Sequence, residues 1–594
     1  MKKKVLAGML ALAMCLSACT PKSDPEETGL FKAGTYTAEA QGMNGAVKVE
    51  VVFTADRIET VTVTDHAETA GISDPAIERV PDAITEHQSL GVDTVAGATI
   101  TSNAILAAVE DCAKQAGADI EALKQPVEGG DTVKTEEERT AGMVIVGSGI
   151  SGLAAAISAA EAGVENIVVL EKMATTGGTT AIAGGYLICV ESERYKDSGI
   201  DDSLGSFLKY WDERMSYSGQ TSGYPDMERA RAVFAQTGAS VDWLAGHGVS
   251  FGEAPFTFFG PYPVAANPGG GRGLVDEMVA AAQKLGVEII TECTTRELTT
   301  DAAGAVTGLV AETADKVITY TAPAVVLATG GSSGSEEITA KYSPKVANVG
   351  TVNTAAAGCV GDGLLMAQAV GADTFDSFFT SIWATTVDPE FAAAVADASK
   401  LTTAAQLGVN AKGERFASES AKYVDSLGSD MIQDGNGPFW YIYDAANAET
   451  TAILDQGVTA GAVVKADTIE ELAAGMKVDA ATLKAAYDRY MEQGKAGADA
   501  DQGKAADMLV ALETAPFYAV KFYPNTFGSQ GGVLTDTEGR VLNTSGSAIA
   551  GLYATGADSN RYFYNENYVL AASLGIYATT GRTTGAAVAA DLSK

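Results

Sequence analysis

Two stretches near the start of the chain alternate apolar and polar residues: 34–40 (GTYTAEA) and 47–53 (VKVEVVF). A period of two predicts strands with one face buried. A helix-period stretch over 103–116 closes this segment. From residue 143 the pattern changes. The runs 143–146 and 167–170 are apolar throughout and flank a glycine turn and an Ala-rich helix, which predicts a βαβ unit buried on both faces. A further apolar strand, 324–327, ends in Ala328-Thr329-Gly330-Gly331, and 551–556 reads as one more strand and turn. The region from about 335 to 521 is richer in helix period and aromatic residues, and is expected to be an insertion that caps a site. Polar stretches at 20–28 and 126–140 read as tethers. The expected organisation is a leader (1–19), a linker (20–32), a small α+β domain (33–120), a second linker (121–140), the first part of an α/β domain (141–335), a capping domain (336–521) and the α/β domain's second part (522–594).

Composition and charge narrow the chemistry. The chain has 594 residues, 46% of them hydrophobic, and a formal net charge of -36. Such an acidic surface argues against nucleic acid, which needs clustered Lys and Arg. Lys2, Lys3 and Lys4 precede an apolar run, 5–14, too short to span a bilayer. Leu16-Ser17-Ala18-Cys19 follows and resembles a bacterial lipobox, which implies cleavage before Cys19, lipidation of its thiol and a position outside the cytoplasm. Cys112, Cys189, Cys293 and Cys359 are scattered, as are His66, His87 and His247. Neither a metal centre nor a c-type haem is suggested, so redox chemistry would use an organic cofactor.

Gly147-Ser148-Gly149-Ile150-Ser151-Gly152 fits G-x-G-x-x-G between a strand and a helix, and Glu171 ends the next strand. In this setting Gly147 serves the tight turn, Gly149 the approach of a pyrophosphate and Gly152 the helix–strand packing. The helix N-terminus faces the phosphates and Glu171 a ribose hydroxyl. The next stretch, Gly177-Gly178-Thr179-Thr180-Ala181-Ile182-Ala183-Gly184-Gly185, resembles the segment that passes under the flavin ring in fumarate-reductase and ketosteroid-dehydrogenase flavoproteins. That resemblance covers about 142–594. It implies a Rossmann-like domain holding non-covalent FAD, with further contacts from Ile150, Ser151, Lys172, Gly330, Asp362, Gly556, Ala572, Ser573 and Leu574. Asp93-Thr94-Val95-Ala96-Gly97-Ala98-Thr99 resembles the flavinylation motif of FMN-binding domains. It implies FMN joined to Thr99 as a phosphoester by a flavin transferase.

The family resemblance departs at the substrate. Where fumarate reductases of this type use His and Arg to clamp a dicarboxylate and deliver a proton, the motifs align with Trp383, Tyr423, Gly528 and Tyr568; Arg415 matches a family arginine. Loss of the planar, two-pronged guanidinium disfavours a dicarboxylate. Aromatic faces and phenols suit an aromatic or enone alkene, with Tyr423 as proton donor, Tyr562 and Tyr564 beside Tyr568, and Arg561 as an anion partner if one carboxylate is present. The expected activity is an ene-reductase fed by a membrane donor, with electrons passing from FMN to FAD. The alternatives are a reductase of unsaturated carboxylates such as urocanate or fumarate, and a flavin electron carrier without turnover.

Overall fold

The computed structural model describes residues 29–127, 134–216, 223–423 and 425–594. The leader and Cys19 lie outside them. The chain divides into two compact units, 1–131 and 132–594.

The first unit is a three-stranded antiparallel sheet, Gly34–Gln41, Ala46–Phe53 and Ile58–Asp65 in sequence order, with the helices Asp74–His87 and Thr99–Gln115. Alternation decides which face is covered. Val47, Val49, Val51 and Phe53 point inward, as do Ile105, Ala108, Val109 and Cys112 from the second helix. That helix begins at Thr99, four residues before the expected stretch. Its first turn closes without a side-chain cap, on backbone bonds and the Ser102 hydroxyl, which donates to the Ala98 carbonyl at 2.9 Å.

The second unit is built on a six-stranded sheet in the order Arg540–Leu542, Ala548–Ala554, Val325–Leu327, Met143–Val146, Ile167–Leu170, Glu288–Ile290. All neighbours are parallel except the first pair. The uninterrupted apolar runs follow from burial on both faces. Met143, Ile145, Ile167, Val169 and Val326 pack with the helices Ile150–Glu161 and Gly270–Lys284. Val144, Val146, Val168, Leu170, Val325 and Leu327 join a cluster with Val306, Leu309, Ile318 and Tyr320 from a smaller four-stranded sheet.

The linker expected over 121–140 is structured at both ends. Ile120–Leu123 is a short helix whose last carbonyl accepts from Ser89. Thr135–Thr140 is a strand parallel to Lys316–Thr321. Its charged residues lie at a sheet edge, which composition alone reads as tether.

Around residues 336–521 lies a second mixed layer, α+β as expected. Its sheet centres on the long strand Phe517–Gln530, which pairs with Phe379–Val387, Phe439–Tyr443, Val464–Ala466 and Val352–Asn353. The same strand crosses position 521/522, so the cap and the α/β domain are continuous there.

Candidate active site

The glycine turn is shaped by contact rather than by composition. Gly147 has φ +107°, and a Cβ there would lie 2.2 Å from the Ala328 carbonyl oxygen; a Cβ on Gly152 would lie 2.1 Å from the Gly147 oxygen. Gly149 differs: a Cβ there would meet nothing nearer than the Thr180 Oγ1 at 3.7 Å. The fold would tolerate a side chain at 149, and bare backbone there leaves room for a ligand to approach. Helix Ile150–Glu161 starts at Gly149 with no side-chain cap, leaving first-turn N–H groups and the positive end of the helix dipole for phosphate. Thr180 satisfies one of them, accepting from Ile150 at 3.2 Å.

Glu171 is buried, and its carboxylate accepts from the Ser148 N–H, the Ser148 hydroxyl and the Met173 N–H at 3.2, 2.6 and 2.9 Å. A carboxylate has about four acceptor positions, so one remains for a ribose hydroxyl. Lys172 and Asp362 pair at 2.5 Å. The segment 177–185 is held by Ser148, whose hydroxyl accepts from Gly177 N–H at 2.9 Å, and by the Ala183 carbonyl, which accepts from Gly271 N–H at 2.9 Å. Thr179 Oγ1 accepts from Ala356 N–H and lies 3.3 Å from the Cys359 Sγ, beside Gly330. Gly556 packs on Ser151. Ala572, Ser573 and Leu574 open the long helix Ala572–Leu592, also without a side-chain cap. These contacts bring the 147–152 turn together with Glu171, the 177–180 stretch, Ala328 and Gly556 in one cradle, and the bare backbone, uncapped helix starts and spare carboxylate position there fit a dinucleotide.

Asp558 was missed. It is fully buried, its carboxylate accepts from the Thr329 and Gly331 N–H groups and the Thr329 hydroxyl, and burial raises its pKa to about 6 against those bonds. Its signal was the Gly-x-Asp after a strand end. In the first unit, Thr99 is exposed as the first residue of its helix, behind Gly97 at φ +90°. That position suits a phosphoester, since free N–H groups of a helix's first turn favour an anion.

The substrate-side residues separate. Tyr568 is buried, and its phenol donates to the Ser573 hydroxyl at 3.1 Å, at the edge of the cradle. Tyr564 stacks beside it at 5.4 Å and Phe527 meets it edge-on at 5.0 Å. Burial pushes the Tyr568 phenol well above its ordinary value, with Ser573 opposing, so it stays a neutral donor. Tyr423 is half-buried; its hydroxyl donates to Glu213 at 3.0 Å. Trp383 sits in a bulge of strand Phe379–Val387 opposite Asn525 and Thr526, with 44% of its surface exposed. Gly528 has open space, with Ser381 Oγ 3.8 Å from where a Cβ would stand. Tyr562 packs against the same apolar cluster as Tyr564 and Tyr568, with its hydroxyl bonded to Thr535 and its ring under Arg229.

Two of the named arginines have partners inside the protein. Arg415 is not available to substrate: it is held by Glu419 at 2.8 Å and Asp499 at 2.7 Å inside the cap, with Lys504 3.4 Å from Glu419. Its motif serves packing there. Arg561 donates to the Tyr564 and Asn565 carbonyls and pairs with Glu566 at 3.4 Å, while its Nε is buried without a partner.

A different arginine meets the tyrosines. Helix Leu204–Met215 buries positions 207, 208, 211, 214 and 215, one stripe of a 3.6-residue period. Arg214 falls on that stripe. Its guanidinium stacks 3.7 Å from the Tyr423 ring centre, donates to the Tyr568 carbonyl and pairs with Asp425 at 2.6 Å. A cation on an apolar stripe was the signal that sequence reading passed over.

A model of the FAD binding domain family matches residues 142–571. The chain belongs to that family. An FMN-binding domain model matches residues 42–114, and the protein is a flavin-dependent oxidoreductase with an FAD-binding and an FMN-binding domain. Among similar proteins, a urocanate reductase from Eggerthella lenta is 29% identical, covering 98% of this chain and 97% of that one. A vinyl phenol reductase from Lactiplantibacillus plantarum is 29% identical over 70% of this chain and 89% of its own. Among solved structures, a 3-ketosteroid-Δ4-(5α)-dehydrogenase from Rhodococcus jostii RHA1 superposes with a TM-score of 0.59 at 25% identity, covering 77% of this chain and 99% of that one. Among the described residues no helix is long and apolar enough to cross a membrane.

Proposed function

We propose that this protein is an extracytoplasmic, lipid-anchored ene-reductase that reduces the activated C=C bond of an aromatic or enone substrate. Electrons enter from a membrane donor at FMN esterified to Thr99 and pass to FAD. When bound, FAD supplies the hydride. The chain's own groups hold the alkene among aromatic faces and deliver a proton to the carbon next to the one that receives hydride. Tyr423 is the proposed donor, Tyr568 orients the substrate against the cradle through its bond to Ser573, and Trp383 is an exposed aromatic platform. The observation that carries the reading is the replacement of charge by phenols at the cradle's edge, together with the commitment of Arg214, Arg415 and Arg561 to carboxylates or backbone carbonyls. The vinyl phenol reductase relative acts on an uncharged aryl alkene, in keeping with that chemistry.

A second reading is favoured by one observation: the urocanate reductase relative aligns with nearly the whole chain, and its substrate is an unsaturated carboxylate. Anaerobic oxidation of a reduced viologen against enones, aryl alkenes, aryl acrylates and dicarboxylates tests both. Turnover with neutral aryl alkenes or enones is expected; oxidation by carboxylates alone selects the second reading, and oxidation by no acceptor selects a carrier. Thr99→Ala, made alongside a flavin transferase, is expected to lose an FMN-sized covalent adduct by mass spectrometry while keeping FAD. An adduct that persists rules out Thr99 as the acceptor.

A further inference from the structure

Arg214 is the guanidinium that reaches both Tyr423 and Tyr568. Its side chain and that of Asp425 are each 3% exposed, and they pair at 2.6 Å. Arg214 comes from a helix that packs beside the cradle, Asp425 from the cap, immediately before helix Ser426–Asp434. The pair therefore lies at the seam between the two layers, against the Tyr423 ring and the Tyr568 backbone carbonyl. Arg214 Nε is buried without a partner, so the cation keeps an unused donor.

A buried ion pair acts differently from either charge alone. Paired, it is close to neutral for anything a few ångströms away. With one partner removed, the other's field is weakly screened, because little water surrounds it. Glu213 already bonds the Tyr423 hydroxyl, so whether Arg214's charge is felt by a substrate carboxylate is set by Asp425.

We propose that Asp425 is a specificity-determining residue: by neutralising Arg214 beside Tyr423 and Tyr568, it makes the site select an uncharged alkene over the same alkene bearing a carboxylate. Neither residue touches the reacting atoms; both set the charge the substrate meets. The inference rests on the proposed function in one respect, that Tyr423 and Tyr568 flank the substrate.

The test uses the full-length holoprotein and a matched pair, 4-hydroxystyrene and 4-hydroxycinnamate, which differ by one carboxylate. The wild type is expected to have the higher kcat/KM for the styrene. Asp425→Asn is expected to shift the kcat/KM ratio toward the acid by about tenfold or more. Arg214→Met, which leaves Asp425 charged, is expected to shift it the other way. The double variant, Arg214→Met with Asp425→Asn, is expected to return near the wild-type ratio. Opposite shifts are not what loss of folding produces, and the FAD content of each variant is measured alongside. If Asp425→Asn fails to retain FAD, the Arg214→Met and double-variant ratios decide. Titration of the bound flavin's absorbance with the saturated pair, 4-ethylphenol and 3-(4-hydroxyphenyl)propanoate, reads the same preference without turnover. A wild type that turns over neither alkene yet shows these shifts in binding sinks the proposed reaction and keeps the charge rule. Ratios unchanged across the variants, in kinetics and in binding, overturn the charge rule.

Discussion

The cradle and the seam lie next to each other and are built on opposite principles. The cradle is made of backbone: glycines where chains touch, uncapped helix starts, and carboxylates that organise N–H groups. The seam is made of groups brought from separated stretches, Arg214, Tyr423 with Asp425, and Tyr568, with charges paired inside it. The first recognises a cofactor through features that every chain possesses and only a few sequences expose. The second, as proposed, would recognise a substrate through features that one sequence possesses and a neighbour can cancel. A change in the cradle should therefore remove the cofactor outright, whereas a change in the seam should retune rate or preference with the flavin in place.

The comparison is broken most directly at Gly152, where a Cβ would lie 2.1 Å from the Gly147 oxygen. Gly152→Val is expected to abolish FAD retention, read as loss of the yellow colour and of flavin released on denaturation. Tyr423→Phe, on the seam, is expected to keep full FAD content and lower kcat by about 10²–10⁴-fold, the usual range for a lost general acid. A variant with unchanged kcat would remove Tyr423 from the reaction.

A third change separates packing from chemistry. Arg415→Met leaves Asp499 buried without its ion-pair partner and Glu419 with Lys504 alone, and is expected to destabilise the protein by about 3 kcal/mol. Thermal unfolding would show it, while kcat per folded molecule stays near wild type. The smallest effect is a pH dependence within the cradle. Asp558 has its folded pKa raised from 3.8 to about 6, chiefly by burial. A carboxyl raised in the fold contributes stability below its unfolded pKa, and that stability is lost as pH rises through the folded value. The apoprotein should lose on the order of 3 kcal/mol between about pH 4 and 6 from this group. Asp558→Asn should flatten that part of the curve of unfolding free energy against pH.

Much of the architecture was legible along the chain because it depends on local periodicity. The alternation at 47–53, the apolar runs at 143–146 and 167–170 and the glycine motif between them each specify an element by themselves. The start of the Thr99 helix was not, because a helix without a capping side chain leaves no mark at its first residue. Nor was Thr135–Thr140, whose charged residues look like a tether until a neighbouring strand pairs with them. The same limit applied to the arginines. Arg415 carried a motif position yet is spent on the fold, whereas Arg214 carried no motif and meets both tyrosines.

What the sequence alone determined, then, is the alternating and fully apolar strands, the glycine turn and the cofactor they imply, since backbone geometry is written in consecutive residues. Which charges survive near the substrate was decided by the tertiary structure. A guanidinium's effect depends on the carboxylate beside it, and Asp425 is separated from Arg214 by some two hundred residues of chain (|i−j| = 211). Only folding places that carboxylate where, in a medium poor in water, it can cancel the charge.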